Sequence, residues 1–354
     1  MGRSQQLLKI MRIHCHKDIL GIRGLLGWFI AGVLSLAITS VFVMLYNYSG
    51  THIVNPSGAT DYKWPARQYK ANLTEGINLM HMDANGFNNL SADTEDIDIL
   101  LMGSSHMEAI QFPTEYNTGS LLNNMLSDMK TYNIGMSGHQ LDNCLDNLEA
   151  AVDEYGPSKY LVLQSGNLSM SKETMKLLLD GSLADIPSYD SGIVYYMQKI
   201  PIIKVIYKQL NDKISIDTAR EREIKTLFGG ETVDDLGDSE EDELMLKDIL
   251  EEKNEYCKSH GVKLVIAYTP PITISAGGAM KRGDEDDLVE MFNNVCKSLD
   301  IEFIDCFDAF EENYENTYNV PYGFNNTAVG TGHLNRAGHK ILAQEIARAV
   351  GGNK

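Results

Sequence analysis

The sequence predicts an α/β protein whose parallel sheet is covered by helices on both faces, preceded by one transmembrane helix. Three observations support this prediction. Short apolar runs alternate with helical patterns between residues 96 and 354, several of the runs end in turn residues, and one uncharged apolar run lies near the N-terminus. Alternation of this kind is typical of a parallel sheet, in which the active site lies at the carboxyl ends of the strands.

The uncharged run, residues 25–46, is long enough to cross a bilayer. At about 1.5 Å per residue it spans about 33 Å, and no small-residue cleavage site of a signal peptide follows it. Residues 1–24 carry a net charge of +4 within a chain of net charge −19. Because basic flanks stay in the cytoplasm, we predict a cytoplasmic flank at 1–24, an uncleaved signal anchor at 25–47 and an extracytoplasmic remainder.

The rest of the chain divides into a connector and one domain. Residues 48–95 show poor periodicity and are predicted as the connector, and residues 96–354 form the domain. Strands are predicted at 97–102, 131–134, 160–164, 262–268 and 301–304, and helices at 141–155, 242–260, 286–299 and 335–350. Residues 170–240 are predicted to form an insertion, either a helical one with a solvated loop or a surface that rests on the membrane.

The composition excludes some classes of function. The chain has 49 Asp and Glu against 30 Lys and Arg, which argues against nucleic acid as a partner. Its five cysteines show neither a CxxC pair nor zinc-type spacing. We therefore predict no metal site.

Four polar segments follow predicted strands or precede the last helix. Ser105 follows a buried strand on a sharp turn, a position that suits a nucleophile, and Gly138 allows a backbone N–H to approach a substrate oxygen closely. Asn167 ends the third strand with an amide donor, and His333 precedes the last helix. We expect these residues to meet at one edge of the sheet; the alternative for the glycines is that they serve simple turns.

The ordered set of Ser105, Gly138, Asn167 and His333 resembles the SGNH, or GDSL-like, hydrolase superfamily. The resemblance implies a flavodoxin-like three-layer α/β/α fold, with Ser105 as the nucleophile and His333 as the general base. It also implies an oxyanion hole made by the Ser105 and Gly138 backbone N–H groups and the Asn167 side chain. No metal or organic cofactor is implied.

One position departs from the superfamily. An Asp usually stands three residues before the histidine and orients its ring, but this chain has Gly330 there. Asp305 and Asp308 follow the last strand towards the same sheet edge, and of the two we favour Asp308 as the acid. Glu311 and Glu312 are further candidates, and a backbone carbonyl in place of the acid is the remaining alternative.

These observations predict an extracytoplasmic serine esterase or O-acyltransferase that works through an acyl-Ser105 intermediate. The anchor and the Gly-Ser-Ser turn resemble DltD-like proteins, which modify teichoic acid or exopolysaccharide outside bacterial cells. That resemblance implies a cell-envelope glycan or teichoic-type substrate, an acylated carbohydrate or polyol, and a multipass membrane acyltransferase as a partner. The alternative is a non-catalytic polysaccharide-binding or assembly protein on a degenerate SGNH fold, suggested by Gly330.

Overall fold

The computed structural model describes residues 21–46, 53–54, 62–73, 75–181, 240–283 and 286–351. The chain divides into two compact units, one made of residues 1–49 and 190–219 and the other of residues 50–189 and 220–354. Residues 1–20 of the predicted cytoplasmic flank lie outside the described residues, as does most of the insertion predicted at 170–240.

The described part of the first unit is one helix, α1 (Ile22–Tyr46). Its stretch Gly24–Leu45 is long and apolar enough to cross a membrane, by length and composition, and lies near the N-terminus. A signal sequence has the same properties. The helix therefore confirms the apolar element and leaves its topology a prediction.

The second unit contains a five-stranded parallel sheet, whose strands are β5 (Ile99–Gly103), β6 (Thr131–Asn133), β7 (Tyr160–Ser165), β8 (Lys263–Tyr268) and β11 (Glu302–Asp305). Their spatial order is β6-β5-β7-β8-β11. All five predicted strands are confirmed. Taken in chain order within this sheet, the spatial order is 2-1-3-4-5, the flavodoxin-like order, whose switch point lies beside its first strand, here β5.

Helices cover both faces of this sheet. They are α2 (Ser105–Glu108), α3 (Thr118–Met125), α4 (Leu141–Asp146), α5 (Leu148–Tyr155), α6 (Lys172–Leu179), α7 (Glu240–Ser259), α8 (Asp286–Ser298), α9 (Phe307–Thr317) and α10 (Arg336–Gly351). The four predicted helices are present, the first of them divided into α4 and α5 at Asn147.

Strand β5 shows why both faces are covered. Ile99 and Leu101 belong to the core under α3, α9 and α10, whereas Leu100 and Met102 belong to the core under α4 to α8. Successive side chains of a strand point to opposite faces, so a continuous apolar run requires two apolar layers. The strand is buried along its whole length, and the residues that follow it emerge at the sheet edge.

The segment predicted as a connector contains strands of its own. They form two antiparallel hairpins, β1 (Ile53–Val54) with β2 (Tyr62–Lys63), and β3 (Tyr69–Asn72) with β4 (Asn78–His81). Trp64, Met80 and Phe87 are buried in the same core as Leu100 of the sheet. The predicted boundary at 95/96 is therefore corrected, because the described residues from 62 onwards pack into the domain. A further hairpin, β9 (Ile272–Ile274) with β10 (Met280–Arg282), follows β8.

Candidate active site

Ser105 lies where the sequence predicts, directly after β5 and at the first residue of α2. Ser104 caps this short helix, because its hydroxyl oxygen accepts a hydrogen bond of 3.3 Å from the backbone N–H of His106. The cap turns the chain sharply at the end of β5. The Ser105 side chain is half-buried at the carboxyl edge of the sheet.

His333 lies 228 residues after Ser105 in the chain, and the fold brings the two side chains together. Its Nε2 lies 2.7 Å from the Ser105 Oγ, a hydrogen-bond distance that suits transfer of the hydroxyl proton. The segment that carries His333 is held by Asn335, whose Oδ1 accepts hydrogen bonds from the N–H groups of Ala337 and Gly338 at the start of α10. Leu334 is fully buried beside it. The motif that opens the last helix thus positions the histidine.

The carboxylate that meets His333 is Glu75, which the sequence reasoning missed. Glu75 Oε2 contacts the His333 Nδ1 and also accepts a hydrogen bond of 3.2 Å from the His333 backbone N–H. An acid at Nδ1 selects the ring tautomer that leaves Nε2 free to accept the serine proton. Glu75, His333 and Ser105 therefore contact one another in the order in which the acid, base and nucleophile of a catalytic triad do.

Glu75 lies in the turn between β3 and β4. The Asn72 side chain donates to the Glu75 carbonyl oxygen, and the Gly76 N–H donates to the Asn326 Oδ1 at 2.8 Å. The turn is thus tied to the segment that precedes His333. The five residues between the two strands include Gly76 and are a hairpin signal that the sequence contains, but no local feature links this turn to His333.

Gly332 makes room for this carboxylate. Its φ is +80°, and a Cβ at this position would lie 2.5 Å from Glu75 Oε1. A side chain is therefore excluded by both the backbone conformation and the approach of Glu75.

The prediction that Asp308 or Asp305 orients His333 is wrong. Asp305 forms a bidentate ion pair, with distances of 3.1 and 2.6 Å, with Arg282 of the β9–β10 hairpin. Asp308 is exposed in the first turn of α9, where a negative charge favours the helix N-terminus. Both residues do follow the last strand, but the carboxylate at the imidazole comes from a different segment of the chain.

Binding to His333 also sets the ionisation of Glu75. Burial raises the pKa of Glu75, but the hydrogen bonds and the charge of His333 outweigh burial and hold the pKa below its ordinary value of 4.5. Glu75 is therefore ionised at neutral pH, as a residue that stabilises an imidazolium must be.

The Gly138 loop follows β6, on the other side of Ser105. Gly138 has a φ of +93°, which favours glycine, and the preceding Ser137 is held by a buried carboxylate, Glu108. Glu108 Oε2 accepts from the Ser137 N–H at 3.1 Å and contacts the Ser137 hydroxyl, while Oε1 contacts Trp64 Nε1. Burial raises the pKa of Glu108, against the hydrogen bonds of Ser137 and Trp64 that lower it. Glu108 thus anchors the loop that carries a predicted oxyanion donor.

Asn167 lies exposed at the end of β7, as predicted. Its Oδ1 accepts a hydrogen bond of 2.9 Å from the Ser169 N–H, and its backbone N–H donates to the Ser165 Oγ at 3.1 Å. With the amide oxygen engaged, the Nδ2 group is the end of the side chain that remains to donate. The three predicted oxyanion residues therefore follow the three neighbouring strands β5, β6 and β7, and their role remains a proposal.

A cavity of about 300 Å³ is lined in part by His106 and Gly332, the chain neighbours of Ser105 and His333. Its wall includes His106, whose ring centroid lies 5.2 Å from that of His333. Thr269 and Pro271, from the loop after β8, are also part of the wall. The other lining residues are Gly166, Ile272, Tyr322, Gly330, Thr331 and Gly332.

No protein-family model and no curated protein matches the chain. Solved structures do resemble it. They include an acetyl xylan esterase, AlAXEase, at 14% identity, which covers 72% of this chain and 100% of its own, with a TM-score of 0.39. The esterase EstA from Pseudoalteromonas sp. is 10% identical and covers 72% and 97%, with a TM-score of 0.38. A GDSL-like lipase from Bacteroides thetaiotaomicron is 12% identical and covers 72% and 87%, with a TM-score of 0.35.

These three proteins carry the names of esterases and a GDSL-like lipase, the group that the ordered motifs resemble. The likeness is distant in both sequence and superposition. The functional proposal therefore depends on the geometry of the site.

Proposed function

We propose that this protein is a serine esterase or O-acyltransferase that works outside the cytoplasm on acyl esters of a cell-envelope glycan or teichoic-type polymer. One observation carries the proposal, the continuous contact from Glu75 through His333 to the Ser105 Oγ at 2.7 Å. Gly330 suggests a non-catalytic protein only if the histidine lacks an acid. Glu75 supplies that acid, so the catalytic alternative is favoured.

In the proposed reaction, His333 Nε2 removes the Ser105 hydroxyl proton as Oγ attacks the ester carbonyl carbon. Glu75 holds the Nδ1–H and stabilises the imidazolium, while the N–H groups of Ser105 and Gly138 and the Asn167 amide bind the oxyanion. His333 then gives the proton to the departing alcohol oxygen, which leaves an acyl-Ser105 ester. Water or a carbohydrate hydroxyl, deprotonated in turn by His333, attacks the carbonyl carbon of this ester; the bond to Ser105 Oγ breaks, the acyl group leaves on the attacking oxygen, and His333 returns the proton to Oγ.

Labelling with a fluorophosphonate tests the nucleophile. We expect the full chain in detergent to be labelled at Ser105 and to hydrolyse a small acyl ester, and Ser105→Ala to abolish both. Ser104→Ala is the matched control: it removes a helix cap and should retain most of the labelling. Absence of labelling in wild-type protein that is folded by circular dichroism would favour the non-catalytic alternative.

Partitioning of the acyl-enzyme separates hydrolysis from transfer. With phenyl acetate as the donor, addition of a polyol such as glycerol diverts the acetyl group to a new ester if the protein is a transferase. An esterase releases acetate at the same rate with and without the polyol.

The extracytoplasmic location depends on α1 as an anchor. Its length and composition support a membrane span, and the basic flank before it supports a cytoplasmic N-terminus. Protease treatment of intact cells is expected to remove the domain after residue 48. A multipass acyltransferase is the partner that the family resemblance implies, and co-purification with the tagged full chain tests it.

A further inference from the structure

His106 directly follows the proposed nucleophile, yet the proposed mechanism does not use it. Its side chain forms no hydrogen bond within the described part of the chain, and its Nδ1 is buried from solvent. The ring is held by edge contact with Tyr322, at a centroid distance of 5.7 Å, and by the ring of His333. An imidazole that is packed in place without a polar partner has a nitrogen to offer to a ligand.

The nitrogen that faces the cavity is Nε2. A Cβ on Gly166, which also lines the cavity, would lie 3.8 Å from His106 Nε2, whereas Nδ1 faces the protein interior. We assign the ring proton to Nε2, because an N–H at Nδ1 would be buried without an acceptor. Burial, together with the charge of His333, lowers the pKa of His106 to about 3. The ring is thus a neutral donor and not a second base.

The other polar groups around the cavity are already engaged. The Tyr322 hydroxyl contacts the carbonyl oxygens of Thr269 and Pro270 at 2.9 and 2.8 Å. Thr269 Oγ1 accepts from Gln164 Nε2 at 2.9 Å, and Thr331 Oγ1 donates to the Ala328 carbonyl oxygen at 3.0 Å. Among the described lining side chains, His106 therefore offers the donor that a bound molecule can use.

The position of the cavity indicates which half of an ester it would receive. The cavity is bounded by the ends of β7 and β8 and by residues 330–332, which directly precede His333, whereas the Gly138 loop follows β6 on the other side of β5. His333 must hand its proton to the departing alcohol oxygen, so the alcohol half has to lie beside His333. A volume of about 300 Å³ is at the lower end of small-molecule sites, which suits one sugar or polyol unit.

We propose that this cavity binds the alcohol half of the ester and that His106 Nε2–H donates a hydrogen bond to an oxygen of that alcohol. The protein would then select esters of polyhydroxylated alcohols over esters of apolar alcohols. This inference rests on the proposed function and names a substrate-binding residue for it.

The test compares two acetyl esters that differ only in the alcohol, phenyl acetate and a mono-acetylated methyl glucoside. Each variant of the full chain is titrated with the fluorophosphonate, so that kcat/KM refers to labelled Ser105 and misfolded protein does not count. His106→Phe keeps the ring and its packing but removes the donor. His106→Gln keeps an N–H donor, and His81→Phe is the control, because His81 is exposed on β4 outside the cavity.

We expect His106→Phe to lower kcat/KM for the acetylated glucoside roughly tenfold, the factor that about 1.4 kcal/mol corresponds to. The loss should appear mainly in KM, phenyl acetate should change little, and His106→Gln should recover part of the loss. An equal loss on both esters, or no loss on either, would overturn the assignment of His106. Neither outcome affects the proposed function, which fails instead if wild-type protein is neither labelled nor active on either ester.

Discussion

The central sheet and the leading segment, residues 62–92, contribute to the same site in different ways. The sheet positions Ser105, Gly138 and Asn167 through its backbone, because each follows the end of a parallel strand. The leading segment has no such regular position, and it contributes side chains. Glu75 from a hairpin turn meets His333, and Trp64 meets the carboxylate that anchors the Gly138 loop.

The difference shows that the carboxylate at His333 is independent of the sheet topology. In the proposed mechanism the nucleophile and the oxyanion donors must lie within a few ångströms of one carbonyl group, and all three proposed residues follow strand ends. The acid only has to contact His333 Nδ1, so any loop that reaches the ring can supply it. This chain has Gly330 and no carboxylate three residues before His333, and the carboxylate that contacts the ring is Glu75 of the leading segment.

The largest expected effect tests which segment supplies the carboxylate that orients His333, the leading segment or the exit from the last strand. Glu75→Gln keeps the shape of the side chain but can hold the wrong His333 tautomer, and we expect kcat/KM for a small acyl ester to fall by about 10⁴. Asp308→Asn and Asp305→Asn, on the exit from the last strand, should stay near the wild-type rate. Steady-state kinetics on the three variants decide between the segments, and a large loss in Asp308→Asn alone would contradict the structure.

A smaller loss is expected from Gly332→Ala. The added Cβ would lie 2.5 Å from Glu75 Oε1, so the carboxylate must move away from the imidazole. We expect kcat to fall by roughly 10²-fold, less than in Glu75→Gln, since misplacement by about 1 Å costs on that order. Gly261→Ala is the matched control, because φ at Gly261 is +74° and its Cβ would meet open space. If both variants lose the same activity, backbone strain and not the contact with Glu75 is responsible.

The second contribution of the leading segment is the contact of Trp64 with Glu108, the residue that anchors the Gly138 loop, and a variant of Glu108 tests it. Glu108 accepts hydrogen bonds from Trp64 Nε1 and from the Ser137 N–H. In Glu108→Gln the side-chain NH₂ group would face one of these two donors, which should cost about 1–3 kcal/mol of unfolding free energy. A loosened Gly138 loop should also lower kcat about tenfold. Thermal unfolding and kinetics measure both, with Glu115→Gln, an exposed acid, as the control. A normal kcat in a destabilised Glu108→Gln would show that Glu108 supports the fold without positioning the loop.

The smallest expected effect concerns pH. Because the pKa of Glu75 is held below 4.5 in the folded protein, its contacts with His333 contribute stability that is present above pH 4.5 and lost as the pH falls through the folded pKa. The difference in Tm between wild type and Glu75→Gln should therefore shrink below about pH 4.5. A difference that grows on acidification would mean that Glu75 is protonated in the folded protein.

The two predicted residues that the structure brings into contact, Ser105 and His333, each have a local sequence signal. Ser105 follows an apolar run with a Gly-Ser-Ser turn, and His333 precedes a helix whose Asn335 cap is visible in the sequence. Asp308 does follow the last strand, but this position alone does not bring a carboxylate to the His333 ring. Glu75 lies 258 residues before His333 in a segment of weak periodicity, so no local rule connects the two.

The sequence alone determined the α/β class, the strand and helix order, the apolar N-terminal helix and the position of Ser105 and His333 at element boundaries. These features follow from periodicity, turn residues and caps, which act over a few neighbouring residues. The tertiary structure decided that Glu75 meets His333, that Glu108 holds the Gly138 loop and that His106 faces a cavity. Each of these depends on how segments distant in the chain pack together, because a carboxylate or an imidazole acquires its role only from the groups that packing brings within hydrogen-bond distance.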